Sequence, residues 1–186
     1  TLTIQRTLPP RSQRAFHLQH YIELINRGEI ALYLETPLPF WRYLLDQWAE
    51  LRRSLFLRIQ FNRIELHHLR GRCALACAIQ QPLQQRDDFL KEARHCAKII
   101  LKEGTRWGSP WALHLLAGAD FLAQHYDQGL QHLTAAEVLL EDTDAHLYTH
   151  ATMLARSLWL PHAQAQDLAH TALQWMQSQP IQAPLR

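Results

Sequence analysis

Histidines, cysteines and a run of arginines are the side chains of this chain with the widest chemical reach, numbering 12 His and 3 Cys. A zinc site needs three or four converging His, Cys or carboxylate ligands. His146 and His150 stand at i, i+4, which is ligand spacing on a helix. His17 and His20 stand at i, i+3, Cys73 and Cys77 at i, i+4, and His95 adjoins Cys96. Nothing in these spacings makes the pairs converge, so they read first as surface or half-buried rings and small core thiols. His146 and His150 with a third ligand stand as an alternative, a metal-dependent or small-molecule-processing helical enzyme. No metal or cofactor is expected on the main reading. Phosphate-binding glycine loops, the G-x-S-x-G elbow and H-E-x-x-H are all absent from the sequence.

Arg52, Arg53, Arg58, Arg63, Arg70 and Arg72 interleave with Phe56 and Phe61. This pattern suits an anion, RNA or acidic-peptide groove. It better suits a solvated helix face with intrahelical pairs such as Glu50–Arg53. The formal net charge of +2 is too small to imply a nucleic-acid partner, although residues 1–72 carry +5 and residues 73–186 carry −3. Trp41 and Trp48 lie a heptad apart, and Trp107 and Trp111 flank a helix start. Such spacing places aromatic rings between helices. The adjacent carboxylates Asp87-Asp88 and Glu141-Asp142 fall at helix ends, where they serve the dipole or remain solvated.

The elements that must position these groups are helices. The 186 residues include 33 Leu and 22 Ala but one Val, Val138, and 6 Gly. A β-domain needs many β-branched residues and more turn glycines, so the composition predicts an all-α chain. Three cysteines, an odd number inside apolar helical patterns, predict reduced thiols in a cytoplasmic protein. No apolar run reaches about 18 residues, so no membrane span is expected. A start at Thr1 suggests a piece of a longer chain.

The chain divides into an extended lead-in over residues 1–12 and one helical domain over 13–186. Eight helices are predicted: about 13–35 with Ser12 as cap, 40–53, 55–80, 85–103, Ser109 to Tyr126, 127–141, Asp144 to Leu160 and 163–178. Gly28 suggests a kink in the first. Thr36-Pro37-Leu38-Pro39 separates the first two, and Gly104 ends the fourth as a C′ glycine. Ser109-Pro110 reads as an N-cap followed by Pro at N1. Asp144 reads as another cap.

Short connections pair the helices into four hairpins with starts 35–55 residues apart, the range of helical-repeat arrays. The third hairpin fits a degenerate tetratricopeptide repeat. Leu116-Ala117 is followed at the required intervals by Gly129, Leu133 and Ala136, giving a small–large–small packing set. The third helix carries two apolar stripes on opposite sides, one through Leu66, Leu69 and Cys73, the other through Ile64, Gly71 and Leu75. A surface helix has one stripe. This helix must therefore be sandwiched. Two polar edges remain, one with Gln60, Arg63, His67 and Arg70, the other with Arg58, Glu65 and Arg72. One of them is expected to face a groove.

The stretches FHLQHYIELINRGEIALYL, WAELRRSLFLRIQFNRIELHHLRGRCALA, SPWALHLLAGADFLAQ and DAHLYTHATMLARSL, with the closing ALQWMQSQPIQAPLR, resemble a known region. They are similar to the C-terminal tetratricopeptide-like region of bacterial eukaryotic-type serine/threonine protein kinases. The resemblance spans Phe16 to Arg186. It implies an α-α superhelix of about four hairpins and a non-catalytic, regulatory interaction role. The partner would be a protein or peptide, the chain's own kinase domain among them, and a second copy could pair through the open ends of the stack. The family tail has Gly where Pro180 stands, and Thr36-Pro37-Leu38-Pro39 replaces its Asp-Gly-type turn. No H-R-D, D-F-G or Val-Ala-Ile-Lys motif is present, so no phosphotransfer residue carries over.

Overall fold

The computed structural model describes residues 16–141 and 143–179. The lead-in at 1–12, the Ser12 cap, Asp142 and the tail from Pro180 lie outside the described residues. Among those described there are eight α-helices and no strand. They are α1 (Leu18–Tyr33), α2 (Pro37–Arg53), α3 (Gln60–Ile79), α4 (Asp87–Lys102), α5 (Gly108–Leu122), α6 (Tyr126–Glu141), α7 (His146–Ser157) and α8 (His162–Ser178). Short 3₁₀ turns at Phe56–Arg58 and Leu83–Gln85 precede α3 and α4.

Helix ends explain where these bounds differ from the sequence reading. Pro37 opens α2 rather than breaking the chain before it, because its missing N–H is no loss in a first turn. The α1–α2 and α5–α6 turns share one geometry. Glu35 and Gln124 take left-handed φ values of 55° and 63°. The next amides, Thr36 and His125, donate back to Ala31 and Asp120 carbonyls at 2.8 Å. This is the Schellman pattern, built without glycine. Ser109 is not a cap. Thr105 Oγ1 accepts from the Gly108 amide at 3.2 Å, so α5 starts earlier and Pro110 falls inside its first turn. Asp144 makes no cap bond either; Thr143 Oγ1 accepts from the Ala145 amide instead. Gly104, with φ 64°, follows the C-cap Glu103 of α4.

Contacts reveal how the helices stack. Arg63 and Arg70 of α3 meet Glu103 and Glu92, respectively the C-cap and a residue of α4, so α3 and α4 run antiparallel. Asp120 of α5 meets His132 of α6, and Phe121 of α5 covers Gly129 of α6, in the same sense; Glu137 of α6 meets Arg156 of α7. Odd-numbered helices instead run parallel. Glu29 meets Arg72 and Gly28 meets Leu69 across α1–α3; Gly71 meets Leu115 and His68 stacks on Trp111 across α3–α5. Trp111 meets Tyr148, and His114 bonds Thr152, across α5–α7. Hairpin follows hairpin in one direction.

Helix α3 is covered on both sides. Its Leu66, Leu69 and Cys73 join Leu24, Ala31, Phe40, Leu44 and Leu51 of α1 and α2. Its Ile64 joins Cys96, Ala97, Ile100, Ala112 and Leu115 of α4 and α5, and its Ala74 and Ala78 join Leu90, Ala93 and Ala119. Helix α1 is continuous through Gly28, a point of close approach, since a Cβ there would lie 2.7 Å from Leu69. In the third hairpin Ala117, Leu133 and Ala136 are buried, Leu116 is half-buried, and Gly129 packs beneath the Phe121 ring. The final hairpin is thinner: α7 buries only Thr152 and Ser157, and α8 only Ala172 and Met176.

A Cβ on Gly71 would lie 2.5 Å from Leu115 Cδ1. Gly71→Val is therefore expected to overpack the α3–α5 crossing by about 1–3 kcal/mol. In a chain of this size that lowers the thermal midpoint by roughly 2–12 °C. An unchanged melting curve would contradict the close approach.

Candidate functional site

The arginines of α3 are paired with carboxylates of neighbouring helices, Arg63 and Arg70 mostly buried and Arg72 on an exposed edge. Arg63 binds Glu103 through two nitrogens, at 2.5 and 2.7 Å, and also donates to the Leu57 carbonyl. Gln60 adds a bond to the same carboxylate. This two-pronged contact raises the pKa of Arg63 and lowers that of Glu103. Arg70 lies 2.7 Å from Glu92 and spreads over Trp48, with its guanidinium carbon 4.2 Å from the ring centre. His67 is buried between these pairs, edge-on to Trp48. The edge containing Gln60, Arg63, His67 and Arg70 thus faces α4 and α2. The other edge faces α1: Glu65 accepts from the Tyr21 hydroxyl and Arg72 pairs with Glu29. Arg58 alone of the expected groove set lies exposed, on the 3₁₀ turn. An RNA path along Arg63 and Arg70 would have to displace carboxylates already in place.

Asp120 was not singled out from the sequence. It is buried, with Arg94 of α4 at 2.9 Å and His132 of α6 at 3.3 Å. One carboxylate therefore ties three helices. Arg94 also donates to the Ala119 carbonyl. A hollow of about 670 Å³ opens beside this group, lined by Arg86, Asp87, Lys91 and His125 among others. Its charges are mixed, and Arg86 is held by the Gln81 carbonyl.

His146 and His150 are engaged with protein. His150 Nδ1 lies 2.7 Å from the His146 carbonyl, and its ring stacks on Trp175 at 4.1 Å. Among the described residues, no group of three or more His, Cys, Asp or Glu could hold a metal ion. Cys73, Cys77 and Cys96 are free and buried. Burial raises all three thiol pKa values, to about 12 for Cys73 and Cys77, which suppresses the reactive thiolate.

An aromatic face lies on the odd-numbered helices. Phe61 of α3 meets Trp107 at the start of α5 (5.5 Å), Trp107 meets Trp111 (5.3 Å), and Trp111 meets Tyr148 of α7 (5.8 Å). Phe61, Trp107 and Tyr148 keep substantial exposed area. Leu147 on α7 and Leu18 and Ile22 on α1 also expose apolar area. The parallel ladder of odd helices brings these rings together from positions 37–46 residues apart, so sequence spacing alone could not join them.

Three histidines are held uncharged by burial, His68 under Trp111, His114 against Thr152 of α7, and His67 on the side of α2 and α4. Burial pushes His67 down to about 4, aided by Arg70, His95 and Arg63 and opposed by Glu92. His68, under Trp111, is pushed to about 3 by burial, Arg72 and His114, and burial pushes His114 to about 4.

No protein-family model, curated protein or solved structure matches this chain.

Two outcomes follow. A histidine whose folded pKa is lowered supports the fold fully above its unfolded pKa of about 6.5 and loses that support as pH falls toward the folded value. Thermal stability should be flat near pH 8 and fall below about pH 6.5, by about 1 kcal/mol per ring for the first unit. Asn at positions 67, 68 and 114 together should flatten the decline, as read by circular dichroism melts between pH 8 and 4; an equally steep decline would contradict it. Arg70→Ala strips a mostly buried cation from Glu92 and Trp48 and should cost about 2–3 kcal/mol in urea unfolding. A loss under 0.5 kcal/mol would show that the pair is dispensable.

Proposed function

We propose that this chain is a non-catalytic helical-repeat module that binds a protein or peptide partner on the aromatic face of its odd-numbered helices. The carrying observation is the chain of rings from Phe61 through Trp107 and Trp111 to Tyr148, partly exposed and contributed by three successive hairpins. Rigid aromatic side chains provide large contact area at low entropic cost, which is why they anchor interfaces. Stacked hairpins supply an extended surface for such contacts. The ionisable groups of α3 support the same reading, because Arg63, Arg70 and Arg72 are held in pairs across helix interfaces. On this proposal the array curves as a superhelix and the contact is regulatory. The resemblance to bacterial serine/threonine kinase C-terminal regions makes a kinase domain the first partner to try, and a second copy of the chain the next.

Site-specific photo-crosslinking tests the surface. A benzophenone amino acid at Phe61 or Tyr148 should yield polypeptide adducts in the native cell, whereas one at the exposed Val138 on α6 should not. Equal labelling from all three positions, or none from Phe61 and Tyr148, would overturn the assignment.

A further inference from the structure

The six clustered arginines of the sequence separate into two groups in space. Arg63, Arg70 and Arg72 are consumed by Glu103, Glu92 and Glu29. Arg52, Arg53 and Arg58 are exposed and, among the described residues, no ion pair or hydrogen bond holds them. Lys102 at the end of α4 is likewise exposed and unpaired.

These four cations come from two connections at the same end of the array. Gln60 and Arg63, just after the α2–α3 connection, bind Glu103, just before the α4–α5 connection. Phe61 meets Trp107 across the same gap. The carboxylate nearest these segments, Glu103, is already neutralised by Arg63, which leaves Glu50 on α2 as the acid on the same stretch. On these two connections four free cations face one acid; Glu141 and Asp144, further acids at this end of the array, lie on the α6–α7 connection. Between the cations lie large apolar side chains with their faces open: Leu55 is 65% exposed, Ile59 54%, Phe61 52% and Trp107 39%.

We propose that this end of the array docks an acidic peptide segment carrying aliphatic or aromatic anchors. The proposal rests on the interaction-module reading and names its partner's chemistry. Carboxylates of the partner meet Arg52, Arg53, Arg58 and Lys102, which steer it and fix its register. Its apolar side chains cover Leu55, Ile59, Phe61 and Trp107, removing from water the apolar area that α2–α3 and α4–α5 leave open. A peptide fits better than single-stranded nucleic acid. Base stacking needs a succession of free ring faces, and here two of the four apolar groups are aliphatic while Phe61 and Trp107 already lean on each other.

Selection from a displayed random-peptide library tests the proposal, with the intact chain and its Arg53→Glu, Arg58→Glu double variant as baits. Both substitutions are on exposed residues, and circular dichroism confirms that the variant folds. The intact chain should enrich sequences rich in Asp and Glu with Leu, Phe or Trp between them. Synthetic versions should bind at least tenfold more weakly to the double variant and to Phe61→Ala, and more weakly as salt rises. Enrichment of neutral or basic peptides, or binding indifferent to charge reversal, would overturn this proposal while leaving the interaction module standing. No enrichment of any peptide would overturn this proposal, and the crosslinking at Phe61 and Tyr148 then decides separately whether the interaction module stands. Polyuridine and phosphatidylserine vesicles complete the test. Binding of either that is lost in the double variant, without acidic-peptide binding, would reassign the surface.

Discussion

Everything in this fold hangs on a helix that has no outside. Helix α3 gives Leu66, Leu69 and Cys73 to α1 and α2, and Ile64, Ala74 and Ala78 to α4 and α5. A helix buried on two opposite sides must solvate its polar residues along narrow edges or pair them across to neighbours. Here they are paired. Arg63 and Arg70 reach α4, Arg72 and Glu65 reach α1, and His67 is left uncharged between them. Apolar burial supplies the cohesion of the stack. The edge pairs fix the register, because a shift of one residue along α3 would rotate each guanidinium about 100° away from its carboxylate.

This division of labour sorts the charges by position along the chain axis. Cations in the middle of α3 are structural. Those on the connections, such as Arg53 and Arg58, are left to solvent. The aromatic side chains divide similarly. Trp41 and Trp48 close the α2 side against Phe89, His67 and Arg70, whereas Trp107 and Trp111 line the face of the odd-numbered helices. A single composition thus supplies both the buried joints and the partly exposed face, with the local topology deciding which.

The sandwiched state of α3 was legible in the sequence because it depends on residues of one helix viewed at 100° intervals. The all-α class was legible from the single Val and the excess of Leu and Ala. Helix pairing at Ala117, Gly129, Leu133 and Ala136 followed from local spacing too. What escaped was set by distant partners. Arg63 and Glu103 are 40 residues apart, so nothing near Arg63 announced that it was taken. Asp120, alone in an Ala-rich stretch, gave no sign of Arg94 and His132. The caps at Ser109 and Asp144 failed for a finer reason: a neighbouring threonine, Thr105 or Thr143, offered its hydroxyl first. The aromatic face needed three helices in parallel to exist at all.

The glycine contacts of α1, α3 and α5 key the stack. Gly28 receives Leu69 from the next odd helix, and Gly71 receives Leu115 from the one after. The α1–α3 joint therefore has its hole on one hairpin and its knob on the successor. The α3–α5 joint interlocks in both directions, because Gly118 of α5 also receives Leu75 of α3. A slide of one hairpin along the other would there drive two side chains out of two holes at once. The last hairpin meets α5 through the Trp111–Tyr148 and His114–Thr152 contacts and is held by other means.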